Sequence, residues 1–474
     1  MLKRQIDESF YKKKLNENIA IIMVCLIVAI LCLLISYPGI LYSDSYGRVD
    51  TAKKLRESIN LLLAGRRSEM PLIECWITMV PSVFIALSIM FTGNIAAYTL
   101  AQCFSFFLVT FLLIKRLGAS CKWLQYIFIL INPLFYGIAV YYEAGVGCIT
   151  AITVMALVLS SGASEKNILD TVIDVTLLIF ASFVAFGYRA NAFTVIPVIV
   201  VYILVQKWES IRKIWMLFAI VAGLVMVAFV PKILNVDTMG SGGAGFVWDM
   251  LTAINRMEPK KQEQYVDYLD ELAGEGSTAS ALKINSEYSV LGFMPSKIDA
   301  YAMSADGATK MILKKYLNFI IKEPKAYLDT KWMYAKKTLG IQYEILAGEY
   351  EYNLIERMWE WGINDTMERL LFYRKFYAVT DLLAWLILHP WKVFVASAAL
   401  IAYKWKKQQK SRDVYLFLFG LAVFYYGAFL INAQSFELRY FYPSLYLMWI
   451  MDMGILFDLL MCFWGTIKKK LKKQ

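Results

Sequence analysis

The run NIAIIMVCLIVAILCLLISYPGILYSDSYGRVDTAKKL (residues 18–55) divides in character at its middle. As far as Ser36 it carries no charge and is apolar over about 20 residues, the length that crosses a bilayer. A Pro-Gly pair then stops the helix, because Pro38 offers no amide donor and Gly39 tolerates backbone angles closed to other residues. Beyond it Asp44 stands between two serines, with Arg48 four residues on. A carboxylate at a membrane surface, with hydroxyls and a cation beside it, suits general-base or metal chemistry on a lipid-borne substrate. Capping of a turn is the alternative reading of Asp44 taken alone. No small-residue cleavage site follows the first span, which predicts an uncleaved anchor.

The rest of the chain extends this pattern. Of 474 residues 59% are hydrophobic, and mean hydropathy is +0.51. Soluble domains hold roughly 45–50% apolar residues, so the composition implies a polytopic membrane protein in a lipid bilayer. The net charge of +11 gathers in the tails (Lys12 to Lys14; Lys468 to Lys470, Lys472, Lys473) and in turns such as KWKKQQKSR, 404–412. That is the bias of cytoplasmic loops. It argues against a nucleic-acid partner and places both termini in the cytoplasm. The seven cysteines form no CxxC pair, so neither a disulfide framework nor a zinc site is indicated. A single histidine, His389, excludes any site needing two and reads as an interfacial residue.

Apolar spans are expected at 18–36, 95–114, 123–141, 143–161, 170–187, 190–206, 212–231, 390–404, 413–432 and 440–463, about ten crossings. The apolar stretch 71–92 would break the in–out alternation if it crossed. Residues 50–92 are therefore expected to lie on the outer face as interfacial or re-entrant helices. Three parts follow: an N-terminal membrane module, 1–231, whose exterior loop 37–92 carries Asp44; an exterior, mostly helical domain, 232–376; and a C-terminal membrane module, 377–474. The middle part holds 18 Lys plus Arg against 20 Asp plus Glu and lacks the basic bias of the inner turns. Its last helical stretch is interrupted at Pro324, and its aromatics (Trp248, Trp332, Trp359, Trp361) suit a domain resting on headgroups. Residues 377–389 read as a short interfacial helix.

Polar residues at the outer ends of spans are the candidates for chemistry: Asp44, Arg48, Glu74, Glu143, Tyr188, Arg189, Asn191, Glu437, Arg439 and Tyr440. Outer arginines run against the basic-inside trend. Binding of a lipid phosphate explains them, since a guanidinium forks onto phosphate oxygens. Snorkelling, or pairing with a carboxylate, is the competing explanation for Arg189 and Arg439. For Glu143 structural pairing competes with catalysis.

The order "first span, Pro-Gly, loop aspartate, amphipathic helix, apolar interfacial helix, span ending in Lys-Arg" resembles the GT-C class of membrane glycosyltransferases. More narrowly it is similar to bacterial multispan GT-C-like proteins with Pro-Gly then Asp-Ser in the first exterior loop, matched by Pro38, Gly39, Asp44 and Ser45. Their YRxN motif is matched by Tyr188, Arg189 and Asn191, and their RYFYP motif by Arg439 to Pro443. The chain departs from them at Met70-Pro71-Leu72 and Ala190-Asn191, where such proteins carry histidines. The resemblance implies an all-α, GT-C-like enzyme of a bacterial plasma membrane. It would move a sugar from a polyprenyl-phosphate-linked donor to an envelope glycan, lipid or protein acceptor. Asp44 would be the catalytic base and Arg189, Arg439 and Arg48 the donor-phosphate ligands. Tyr188, Asn191, Glu74, Glu143 and Tyr440 would support them. No DxD pair stands in the first loop, which argues against a tightly held metal; a divalent metal stays open. A repeat-unit polymerase and a transporter or flippase of lipid-linked sugars are the rival readings. The latter is disfavoured by the lack of inverted repeats.

Overall fold

The computed structural model describes residues 2–39, 44–66, 73–75, 78–118, 122–141, 143–161, 168–238, 242–284, 290–304, 308–341, 389–406, 412–431 and 438–471. In chain order come α1 (Leu2–Ser36), α2 (Asp44–Leu63), β1 (Ile73–Cys75), α3 (Val80–Thr92), α4 (Ala96–Leu117), α5 (Lys122–Ile131), α6 (Pro133–Tyr141) and α7 (Glu143–Ser160). Then follow α8 (Ile168–Tyr188), α9 (Ile196–Val205), α10 (Ser210–Ile233), β2 (Val236–Thr238) and α11 (Gly243–Asn255). After several short helical turns the chain forms α12 (Thr309–Lys322), α13 (Pro324–Thr338), α14 (Pro390–Lys406), α15 (Arg412–Ile431) and α16 (Leu438–Leu471).

Among the described residues, six helices are long and apolar enough to cross a membrane: Leu15–Ser36 of α1, then α4, α8, α10, α15, and Phe441–Trp464 of α16. The chain is a multi-pass membrane protein whose described residues are almost all helical, apart from one two-stranded sheet. The other expected spans are shorter or broken, and proline accounts for two of them. The 123–141 span divides between α5 and α6, where Pro133 opens the second piece. The 190–206 span opens with a 3-10 segment, Ala190–Val195, before Pro197 starts α9. The remaining two are α7 and α14.

Residues 50–92, expected as interfacial or re-entrant helices, hold most of α2 and the 13-residue α3, which is shorter than a bilayer crossing. Gly93 caps α3 at φ 75, donating its amide to the Ile89 carbonyl. Between the helices, Ile73–Cys75 forms the short strand β1. Strand β1 pairs in parallel with β2, Ile73 with Val236 through Cys75 with Thr238, and so ties the first loop to the far end of α10.

The two ends of the bundle differ in chemistry. At one, Glu17 of α1 bonds to Lys122 and lies 3.4 Å from Lys115 of α4, and Arg116 bonds to Ser160 of α7 at 3.3 Å. Arg212 of α10 pairs with Asp174 of α8 at 3.3 Å. The opposite end carries the close of α1 and the starts of α4, α7 and α16.

The described residues between 243 and 338 pack on Trp248, Phe293, Ile298, Phe319 and Tyr334, all fully buried. The Trp248 and Tyr334 rings stack at 4.8 Å. Pro324 divides α12 from α13, as the sequence predicts. The stretch 261–274 forms short helical turns rather than one continuous helix. There Asp270 draws in the amides of Gly276 and Thr278 at 2.7 and 2.8 Å, the competition an aspartate offers a helix. Helix α13 is fastened to the bundle: the Tyr426 hydroxyl donates to the Thr338 carbonyl, and Lys331 donates to the Ile431 carbonyl at 2.8 Å. Trp359, Trp361 and the interfacial helix expected at 377–389 lie outside the described residues, apart from His389, whose ring contacts the Gly340 carbonyl at 2.9 Å.

Candidate functional site

The Pro-Gly pair that ends α1 is clamped onto the start of α4. Thr99 donates to the Pro38 carbonyl at 2.9 Å, and Asn94 donates to the Tyr37 hydroxyl at 3.0 Å. Gly39 has φ +155, and a Cβ there would lie 2.5 Å from Thr99 Oγ1 and 2.7 Å from Ile95. A glycine is required for so close an approach. The clamp sets the point from which the chain departs toward Asp44, the first residue of α2. The side chain of Asp44 lies outside the described residues. Arg48, one turn on, is 4% exposed, on the face of α2 that also buries Val49, Ala52 and Leu55. The sequence placed Arg48 in an open loop, whereas it is held inside the fold.

The second group stands at the end of α8. Tyr188 is 4% exposed, and its hydroxyl lies 3.3 Å from that of Tyr98 on α4. Its carbonyl accepts from Thr78 at 2.9 Å, which brings the residues before α3 to the same place. Gly147 of α7 makes room for the Tyr188 ring, since a Cβ at that position would collide with it. Arg189 follows, half-buried and extended (φ −141, ψ 120), where the chain leaves α8 for the 3-10 segment. Its charge acts on Cys148 of α7 and Tyr425 of α15, both buried nearby. Asn191 is half-buried inside that 3-10 segment, its carbonyl accepting from Thr194 at 2.8 Å.

The third group is the start of α16. The backbone of Arg439 and Tyr440 belongs to its first turn, and their side chains lie outside the described residues. Tyr442, 1% exposed, packs on α7, where a Cβ at Gly145 would come within 2.5 Å of its ring. Glu74 sits in β1 opposite Asp237, and Glu143 opens α7. The side chains of both are outside the described residues, as is Glu437 entirely.

Three stretches far apart in the chain therefore meet at one end of the bundle: the exit of α1, the end of α8 and the start of α16. Three contributors escape the sequence reading, namely Tyr98, Cys148 and Tyr425, while Tyr442 falls inside the 439–443 motif without being singled out. The one available signal was the Gly145-Val146-Gly147 spacing at the head of α7, which marks close approach by neighbours. Comparison with protein-family models, curated proteins and solved structures finds no match to this chain.

Proposed function

We propose that this protein is a GT-C-type membrane glycosyltransferase of a bacterial plasma membrane, with about ten crossings and both termini in the cytoplasm. It moves a sugar from a polyprenyl-phosphate-linked donor to a cell-envelope acceptor at the outer face. One observation carries the reading: the loop leading to Asp44 and the Tyr188-Arg189 pair lie at the same end of the bundle, bridged by Tyr98 against Tyr188 at 3.3 Å and by Thr99 on Pro38 at 2.9 Å. A base and a phosphate ligand must share one end to act on one substrate.

In this mechanism Asp44 takes the proton from the acceptor hydroxyl. The acceptor oxygen attacks the sugar's anomeric carbon, and the bond from that carbon to the lipid phosphate breaks. The negative charge left on the phosphate is met by Arg189 and Arg439, with Arg48 the third candidate, acting from a fixed, partly dry position. Tyr188, Asn191, Glu74, Glu143 and Tyr440 hold these groups or contact the sugar. Residues 232–376 cover the site on the outer face and read the acceptor.

The test compares envelope glycans by mass spectrometry in wild type, a deletion and an Asp44→Asn strain at matched membrane level. A sugar lost from both altered strains supports transfer at Asp44 and identifies the acceptor. Near-normal glycan in the replacement strain removes Asp44 from the mechanism.

A further inference from the structure

Away from that end, α14, α15 and α16 enclose a second polar cluster. Asp452 falls at the middle of the apolar run Phe441–Trp464 and is 9% exposed. Its Oδ2 accepts from Ser397 of α14 at 2.8 Å, whereas its Oδ1 is buried with no hydrogen-bond partner among the described residues. The Tyr415 hydroxyl of α15 is buried and unpartnered in the same sense. It stands 2.8 Å from where a Cβ on Gly454 would be, so glycine leaves room for it beside α16. Further along, Lys404 lies 3.8 Å over the Tyr415 ring and pairs with Asp458 at 3.4 Å. Ser397 and Lys404 are two turns apart on α14, and Asp452 and Asp458 nearly so on α16, so the groups form a ladder along one seam.

The charges along the ladder do not balance equally. Lys404 and Asp458 neutralise one another. Among the described residues no charged group acts on Asp452, and Ser397 is the one hydrogen-bonding partner of its carboxylate. Helices α4, α5 and α7 also pack on α16, and Thr110 of α4 brings a hydroxyl 2.6 Å from that of Tyr446. An ionised carboxylate with one neutral donor in a hydrocarbon layer is among the costliest arrangements a membrane protein can hold, and such residues mark proton or ion pathways.

We propose that Asp452 is a proton-binding site at the middle of the membrane, reached from the Lys404–Asp458 end past the Tyr415 hydroxyl. Binding brings one proton and one positive charge into the bundle, and the carboxylate becomes a neutral acid whose O–H sits on the otherwise unpartnered Oδ1. Release returns the proton to water at the same end. A bare metal cation fits less well, since it must replace a hydration shell and the described oxygens here come from Asp452, Ser397 and Tyr415 alone. This site is independent of the glycosyltransferase reading.

The experiment is infrared spectroscopy of the full chain in lipid vesicles at neutral pH, in water and in deuterium oxide. The result expected is a deuterium-sensitive protonated-carboxyl band, lost in Asp452→Asn and shifted in Ser397→Ala as one hydrogen bond disappears. Identical carboxyl regions in wild type and Asp452→Asn overturn the proposal. So does loss of the band when sodium replaces potassium at fixed ionic strength, which assigns the site to a metal cation. Should Asp452→Asn fail to fold, Ser397→Ala decides: a carboxyl region it leaves unchanged overturns the proposal.

Discussion

Lys331→Met tests a buried ion pair outside the membrane spans. The Lys331 ammonium meets Asp249 Oδ2 at 2.5 Å, and Tyr316 donates to the same oxygen at 2.8 Å. Asp249 is 1% exposed, and its Oδ1 has no hydrogen-bond partner among the described residues. Burial lifts its carboxyl to about 6, against the pull of Lys331 and Tyr316. The folded state therefore binds this proton more tightly than the unfolded chain, so the contribution of Asp249 to stability falls as pH rises from about 4 to about 6, by roughly 3 kcal/mol at 1.36 kcal/mol per unit. Methionine keeps the length of the stem but leaves the carboxylate with Tyr316 alone. Removing one partner of a buried pair costs about 3–5 kcal/mol. At about 1.4 kcal/mol per decade that is a loss of about two to three and a half decades of hydrogen-exchange protection. Peptides of α11, α12 and α13 report it by mass spectrometry, with α4 and α8 as internal controls. Without its cation the carboxyl rises further, so the loss is fullest near pH 8 and shrinks toward pH 5, where Asp249 takes up a proton. A loss below tenfold, or one equal at both pH values, refutes the argument.

Gly147→Ala drives a methyl group into the Tyr188 ring. It is expected to cost about 1–3 kcal/mol by overpacking and to displace Arg189, which thermal melting and the glycan assay read together. Gln125→Met is expected to work in the opposite direction. Both amide atoms of Gln125 are buried without hydrogen-bond partners among the described residues, and the side chain is fully covered. Relieving that desolvation with a thioether of similar volume stabilises by about 1 kcal/mol, seen as a higher melting midpoint; a lower midpoint would show that the amide is satisfied in the folded protein.

The long spans were legible because twenty apolar residues in a row have few alternative uses. The divided ones show where that logic stops. Pro133 and Pro197 lie within runs of full hydropathy, and hydropathy carries no term for a missing amide donor. The exclusion of 71–92 from the spans came from charge alternation, and α3 at 13 residues agrees with it. The β1–β2 pairing was invisible, since three residues cannot display a period of two. Burial of charges escaped as well. Lys404 reads as part of a basic turn, yet it is 3% exposed beneath α15, and nothing in the sequence singles out Asp249, which is walled in by α12 and α13. Pattern reports which face of a helix is apolar; it does not report that a partner helix supplies the matching ion.

Helix α15 links these regions and also separates them. Near its end it offers Tyr425 to the Arg189 group, and Tyr426 and Ile431 to α13. Near its start it offers Tyr415 to Lys404. Tyr415 and Tyr426 stand three turns apart, about 16 Å at 1.5 Å per residue, and groups separated by more than about 10 Å without shared partners usually act independently. The Arg189 cluster therefore owes nothing energetically to Asp452. A charge change at Asp452 can reach the other end by moving α15 as a body, and its fastenings to α13 at Thr338 and Lys331 oppose such movement. The distance is what keeps the readings separable: loss of the Asp452 site would leave the case for Asp44 and Arg189 where it stands, and the converse holds as well.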